Sequence, residues 1–250
     1  MEAAVRVGQS QEFKLRQALL LYGESGFDMH QYRRPFVTLH DVIHEDGEAR
    51  LSAARLLTPE ILRSILVNLG ETQPLEILPE CVLARTADSI VWWSPPKIRP
   101  LFFTGADPLA AKLNSKQYPH PPLVFKVSGD NLWIRAFAKN RRPTGATKLC
   151  VAPYWNVYDN GAVCTGSVRL PTKNSVAAIE EWEGAFFHSA FSHAGGVIKH
   201  TLYPGGVLAL WKSLRGRIGF PVKYLNPLDD TLEQFVTSNE KGYQVRRARP

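Results

Sequence analysis

The chain predicts an α+β fold, an antiparallel sheet flanked by helices behind an N-terminal extension. Three observations carry that expectation: a punctuated helix early in the chain, a run of β-rich segments joined by hairpin signals, and a return to helical periodicity after Pro171. The early helix has Thr58 as N-cap, Pro59 at its first position and Gly70 after its end. Ile61, Leu62, Ile65, Leu66 and Leu69 share one of its faces, which is expected to pack on a sheet.

Strands are expected next. Cys81 to Ala84 and Ser89 to Trp93 flank a turn at Arg85 to Asp88, and Pro95-Pro96 ends the pair because proline cannot donate to a ladder. Leu101 to Phe103 is another β-rich segment. Leu123 to Val127 and Leu132 to Ala138 flank Ser128-Gly129-Asp130-Asn131, the clearest hairpin signal in the chain, and Lys148 to Ala152 follows as a last short strand. Beyond Pro171, Asn174 or Ser175 is expected to cap a helix whose apolar face is Ile179, Trp182, Phe186, Phe187, Ala190 and Phe191. Shorter helices are expected over Val207 to Leu214 and Asp229 to Val236.

These elements divide the chain into three stretches. Residues 1–57 form the extension, with a β-rich segment over Arg34 to Ile43 and a hairpin turn at Glu45-Asp46-Gly47; 58–236 form the folded domain. Residues 237–250 form a basic, flexible tail ending in Arg246-Arg247-Ala248-Arg249.

Composition narrows the functional classes. A hydrophobic fraction of 44% can supply an ordinary core, and no apolar run approaches the roughly 20 residues of a membrane helix. With no export signal at the start and three cysteines that make no tidy disulfide set, the expected compartment is the cytoplasm. No cofactor is implied. Metal binding is not expected either: Cys81, Cys150 and Cys164 form no CxxC pair, His40 and His44, beside Asp41, Glu45 and Asp46, are too far apart for a routine site without other ligands, and His188 and His193 are five residues apart, off a common helix face. The net charge of +7 admits an acidic protein or DNA as partner. The basic groups Arg33–Arg34, Arg141–Arg142 and Lys212 to Arg217 are read first as solvated faces, and DNA as the weaker partner.

The chemistry concentrates between Pro153 and Gly166. Asp159-Asn160-Gly161 is a tight-turn signal, since Asn and Gly tolerate positive φ. The turn should bring Asn156 and Cys164 towards each other and leave the thiol on an irregular segment, where a large partner can reach it. The ordinary alternative for Cys164 is a small buried apolar residue, and for Asn156 a side chain that stabilises the turn.

This segment resembles the active-site stretch of the ubiquitin-conjugating enzymes, His-Pro-Asn followed by a turn ending in Gly, one residue, an aliphatic and the thioester Cys. Asn156, Gly161, Val163 and Cys164 stand at the matching positions without a gap. More specifically, Ile90 to Pro96, Arg99 to Phe103, Pro122 to Phe125, Pro153 to Pro171 and Phe186 to His193 resemble the PRTRC system protein B family. That resemblance implies a ubiquitin-conjugating-enzyme-like fold in a plasmid-associated cassette. The associated proteins would be a ThiF-like activating enzyme, a ubiquitin-like protein, a JAB-peptidase-like protein and a ParB-like protein. It implies Cys164 as the thioester nucleophile and Asn156 as a donor to the oxyanion, an effect worth about 3 kcal/mol in comparable sites.

There are departures. Tyr154-Trp155 replace the motif's His-Pro, and Thr165-Gly166 replace the usual apolar residue after the Cys. Tyr118-Pro119-His120-Pro121-Pro122 is similar to the family's Tyr-Pro-x-x-Pro-Pro but lies far upstream of Cys164, so it reads as coincidence or as the mark of an insertion. The rival expectation is therefore a catalytically inactive member of the fold, an adaptor for partner proteins or DNA in plasmid maintenance.

Overall fold

Antiparallel strand pairs make up most of the described part of the first stretch of chain. The computed structural model describes residues 4–7, 11–22, 36–45, 47–69, 76–105, 107–166 and 168–238, with backbone alone for 4–7 and 11–13. Arg33–Arg34, Asp46, Gly70 and all of the basic tail beyond Ser238 lie outside the described residues. The chain divides into two compact units, Met1–Glu76 and Ile77–Pro250.

In the first unit, β1 (Ala4–Val7) pairs with β2 (Gln11–Lys14), and β3 (Gln17–Tyr22) pairs antiparallel with β4 (Phe36–Glu45). The long β4 also takes β5 (Glu48–Leu51) at its end and the short β6 (Arg55–Leu56) beside Thr38 and Leu39. His40 is buried here with both ring nitrogens engaged, at 2.8 Å from Thr38 Oγ1 and 2.8 Å from Ser52 O. His44 Nε2 lies 2.8 Å from Leu15 O.

α1 (Pro59–Asn68) begins as expected, with Thr58 Oγ1 accepting from Ile61 N–H at 3.4 Å. Its apolar face does not pack as expected. None of its residues is buried, and Leu62, Leu66 and the following Leu69 are exposed. Caps and periodicity are local signals that set a helix; they do not supply the surface that covers it.

The second unit is built on a six-stranded antiparallel sheet. Its strands are β7 (Val82–Arg85), β8 (Ser89–Ser94), β11 (Leu123–Ser128), β12 (Asn131–Ala136), β13 (Lys148–Cys150) and β15 (Pro227–Thr231), in the order β15-β13-β12-β11-β8-β7. Ser128↔Asn131 closes the β11–β12 hairpin, as the Gly129-Asp130 turn predicts. A smaller sheet joins β9 (Ile98–Phe103) to β10 (Lys116–Pro119) and, in parallel, to β14 (Ala190–Phe191). Between β9 and β10 lies α2 (Pro108–Leu113), capped by Asp107.

Both faces of the large sheet are covered. Ile90, Trp92, Leu123, Phe125 and Ile134 belong to the main core with α3 (Ile179–Phe187) and α4 (Gly206–Leu214), including Trp182, Phe186 and Trp211. Their sequence neighbours Val91, Val124 and Trp133 pack on the other side with Leu232 and Phe235 of α5 (Leu232–Thr237). This two-layer burial is the period of two that strands impose. Lys126 points to the α5 side and donates through Nζ to Phe235 O, Val236 O and Ser238 O at 3.0, 3.1 and 2.7 Å, capping that helix's last carbonyls with a cation.

Three expectations change. α3 ends at Phe187, so Ala190 and Phe191 form a parallel strand instead of a helical turn. Asn174 does not cap; its amide donates to Asp88 O and Gly129 O, and Ser175 precedes a 3-10 turn over Val176–Ala178 without a side-chain bond. The last helix starts at Leu232, because Pro227–Thr231 pairs with β13 first. Parallel pairing and edge pairing are non-local, so local periodicity does not report them. No helix among the described residues is long and apolar enough to cross a membrane.

Candidate active site around Cys164

Chain leaving β13 crosses the core through Tyr154 and returns to the sheet as a small flap. Val157 and Val163 bridge its two arms, and Ala162 bridges to Trp133 of β12. Ile134 N–H donates to Gly161 O and Val163 N–H to Leu132 O, each at 2.8 Å, so the second arm extends the β12 ladder. The Asp159-Asn160-Gly161 turn closes the tip: Gly161 has φ +86° and its N–H donates to Tyr158 O at 2.8 Å. Arg135 passes directly beneath. A Cβ on Gly161 would stand 3.0 Å from its Nε, and its guanidinium donates to Asp159 O at 2.9 Å.

The turn brings Asn156 and Cys164 together through the backbone. Asn156 is left-handed, φ +59°, and its carbonyl accepts from Cys164 N–H at 2.7 Å. Cys164 follows the last bond to β12 and is a free, partly exposed thiol. Cys150, by contrast, is buried in β13, and burial pushes its thiol up to about 11.

The Asn156 side chain is buried at 6% exposure and fully engaged with the segment after α3. Its Nδ2 donates to Ala190 O at 3.0 Å, while Oδ1 accepts from Ser192 N–H at 3.0 Å, Ser192 Oγ at 3.3 Å and His193 N–H at 3.3 Å. The oxyanion role expected of this amide needs a donor turned towards the sulfur, whereas this Nδ2 donates to Ala190. What Asn156 offers Cys164 here is a carbonyl that fixes its backbone.

Asp159 locks the same segment. Its carboxylate accepts from Val197 N–H (3.1 and 3.0 Å) and Ile198 N–H (2.9 Å). Burial opposes the charged form, but these two amides, with His200 and Arg135, outweigh it and hold the carboxyl below its ordinary value. The contact is so close that a Cβ on Gly195 would collide with Val157 O, and one on Gly196 with the Asp159 carboxylate. His200 Nε2 lies 2.8 Å from Val157 O and completes the clamp.

Tyr154, standing where the conjugating-enzyme motif has His, is buried among Phe186, Phe187, Phe191 and Trp211. Its hydroxyl lies 2.8 Å from His120 Nδ1, and His120 Nε2 lies 3.2 Å from Arg99 O. A backbone carbonyl only accepts, so Nε2 carries the proton and Nδ1 accepts from the tyrosine. Burial, helped by the Arg99 charge, pushes His120 down to about 3. The sequence distance that separated Tyr118-Pro119-His120-Pro121-Pro122 from the active-site segment is thus closed in space. β11, β12 and β13 are the chain in between. The contacts of His120 with Tyr154 and of Arg135 with the flap turn were not anticipated from the sequence; a histidine inside a Pro-rich segment was the available signal for the first.

Cys164 lines neither of two clefts on this unit, one of about 470 Å³ bordered by Trp155 and the 194–207 segment, the other of about 300 Å³ beside Arg169 and Glu181. Among the described residues no three His, Cys, Asp or Glu side chains gather as a metal site.

The sequence model of prokaryotic E2 family D, E2 denoting the ubiquitin-conjugating enzymes, matches residues 59–228. The chain belongs to prokaryotic E2 family D. It is a PRTRC-type, conjugating-enzyme-like protein, and the flap with Asn156 and Cys164 lies inside the matched region. No curated protein and no solved structure matches this E2-like chain.

Proposed function

We propose that Cys164 accepts a ubiquitin-like protein by thioester exchange. The thiolate attacks the thioester carbonyl that joins the ubiquitin-like protein's C-terminus to a cysteine of an activating enzyme. A new C–S bond forms at Cys164, the old one breaks, and the activating enzyme's sulfur leaves as the thiolate that takes up the proton. One observation carries this reading: the thiol is free and partly exposed at the end of a flap that is pinned to β12 on one side and to residues 190–198 on the other. An open position suits a protein substrate, which brings its own surface to the sulfur. Asn156 acts as a positioning residue, through its carbonyl on Cys164 and its amide on Ala190 and Ser192.

The partners follow from the PRTRC resemblance: a ThiF-like activating enzyme and a ubiquitin-like protein, with JAB-peptidase-like and ParB-like proteins of a plasmid cassette acting in the same compartment, the cytoplasm. A second reading is favoured by the commitment of the Asn156 amide to Ala190 O, which directs that donor away from an oxyanion. In it the protein is an adaptor that binds the same partners without accepting the thioester. Incubation with activating enzyme, ubiquitin-like protein and ATP separates the two. The transferase forms an adduct cleaved by excess thiol and lost in Cys164→Ala; the adaptor forms none and still binds.

A further inference from the structure

From Gly184 to Leu228 the sequence holds no Asp or Glu, yet it carries Lys199, Lys212, Arg215, Arg217 and Lys223. All five are exposed, and none forms an ion pair among the described residues. The one nearby carboxylate on the flap, Asp159, is occupied by the Val197 and Ile198 amides. This stretch of chain therefore carries five cations and no acid of its own, which favours an acidic ligand.

Two of the cations flank the cleft of about 470 Å³ that runs from Trp155 to the start of α4. Lys199 lines it directly. Lys223 adjoins it, because Leu202 N–H donates to Tyr224 O at 2.9 Å and Asn226 Nδ2 to Lys199 O at 2.7 Å, stitching the two segments side by side. No side chain caps the N-terminus of α4, which opens on the same cleft and adds its partial positive charge. Branched apolar side chains line the cleft beside Lys199, with Leu202 50% and Ile198 37% exposed. Asp159 and the close Gly195–Gly196 approach hold the Val197 loop in place, so little ordering cost remains for a ligand.

We infer that this cleft is a docking groove for an acidic segment of a partner protein that also presents aliphatic side chains. Exposed aliphatics beside a lysine fit such a peptide better than a single-stranded nucleic acid, which would call for open aromatic faces. The cleft's aromatics are half-buried and packed on other rings: Tyr203 lies 4.8 Å from Tyr224 and Trp155 5.9 Å from Phe103, centroid to centroid. Trp155, at one end of the groove, precedes Asn156, so a docked chain lies next to the flap. The inference does not depend on transfer at Cys164.

The test titrates the full chain with a fluorescein-labelled peptide of alternating Leu and Asp, read by anisotropy. Parallel titrations use a Leu/Asn peptide and a thymidine oligonucleotide of equal charge. Saturable binding of the Leu/Asp peptide is expected. It should weaken at least about tenfold in Lys199→Glu/Lys223→Glu, about threefold in Ile198→Ser/Leu202→Ser, and severalfold when salt rises from about 50 to about 200 mM. Cys164→Ala should bind as the natural chain does, which separates this inference from the thioester reading. Circular dichroism confirms that each variant is folded. Absence of saturable binding, equal binding of the Leu/Asn peptide, indifference to both double substitutions, or tighter binding of the oligonucleotide would overturn the inference.

Discussion

Cys150 and the flap that ends at Cys164 are held against the same strand, yet the two thiols are treated in opposite ways. β12 pairs Ala136 with Cys150 at one end and bonds Gly161 and Val163 along the rest. Cys150 has a second partner strand, β15, through Pro227, and is sealed at 7% exposure. Cys164 has left the ladder: its N–H turns to Asn156 O, and the sulfur stands where the sheet stops covering it. Burial of a thiol is decided here by where strand pairing ends, and one left-handed residue, Asn156, sets that point.

The comparison can be broken most directly by chemistry at the two sulfurs. Alkylation with iodoacetamide at pH 8 should modify Cys164 at least about 100-fold faster than Cys150, because a thiol pushed up to about 11 is only about 0.1% ionised there and is also covered. Peptide mass spectrometry measures both rates in one sample. Equal rates would mean that the ladder does not protect Cys150.

The flap's second anchor predicts the next largest effect. Gly196→Ala places a methyl group on the Asp159 carboxylate at a residue with φ +87°, and should cost about 3 kcal/mol in urea denaturation. Its Cys164 labelling should change more than its Cys150 labelling. A silent substitution would show that the 195–198 segment does not support the flap.

His120 sharpens the comparison through pH. It lies beneath the segment joining the two cysteines, and it stays neutral down to about pH 3, whereas an unfolded histidine protonates near 6.5. Its folded pKa is depressed, so the stability it contributes is complete above about pH 6.5 and falls as pH drops. The slope is about 1.4 kcal/mol per pH unit, about 2 kcal/mol by pH 5. Urea midpoints across that range should show this slope, and His120→Gln should flatten it.

Asp159→Asn is the mildest change, about 0.5–1 kcal/mol, since the amide keeps one acceptor for Val197 and Ile198 but loses the charge. The natural chain's advantage should be full above about pH 4 and be lost progressively as pH falls from there through the carboxyl's lowered value. An advantage that does not shrink as pH falls below about 4 would sink that explanation.

Legibility followed sequence distance. The hairpin at Gly129-Asp130 was readable because turn chemistry lies within four residues, and so was the Thr58 cap. The convergence of Asn156 and Cys164 was readable for the same reason, with Asp159-Asn160-Gly161 between them. The parallel pairing of Phe191 with Phe103, the edge pairing of Pro227 with Cys150 and the contact between His120 and Tyr154 were not. Each joins distant residues that carry no local pattern, and propensity has no term for a partner supplied from elsewhere.

By itself, then, the sequence determined the α+β class, the family and the tight turn ahead of Cys164, all of which rest on spacing within short segments. Tertiary structure alone decided what those segments meet: which thiol is covered, where the Asn156 amide donates, and that an acid-free stretch of chain borders a cleft. The physical reason is that burial, hydrogen-bond partners and electric field are properties of neighbours in space, and folding chooses those neighbours from anywhere along the chain.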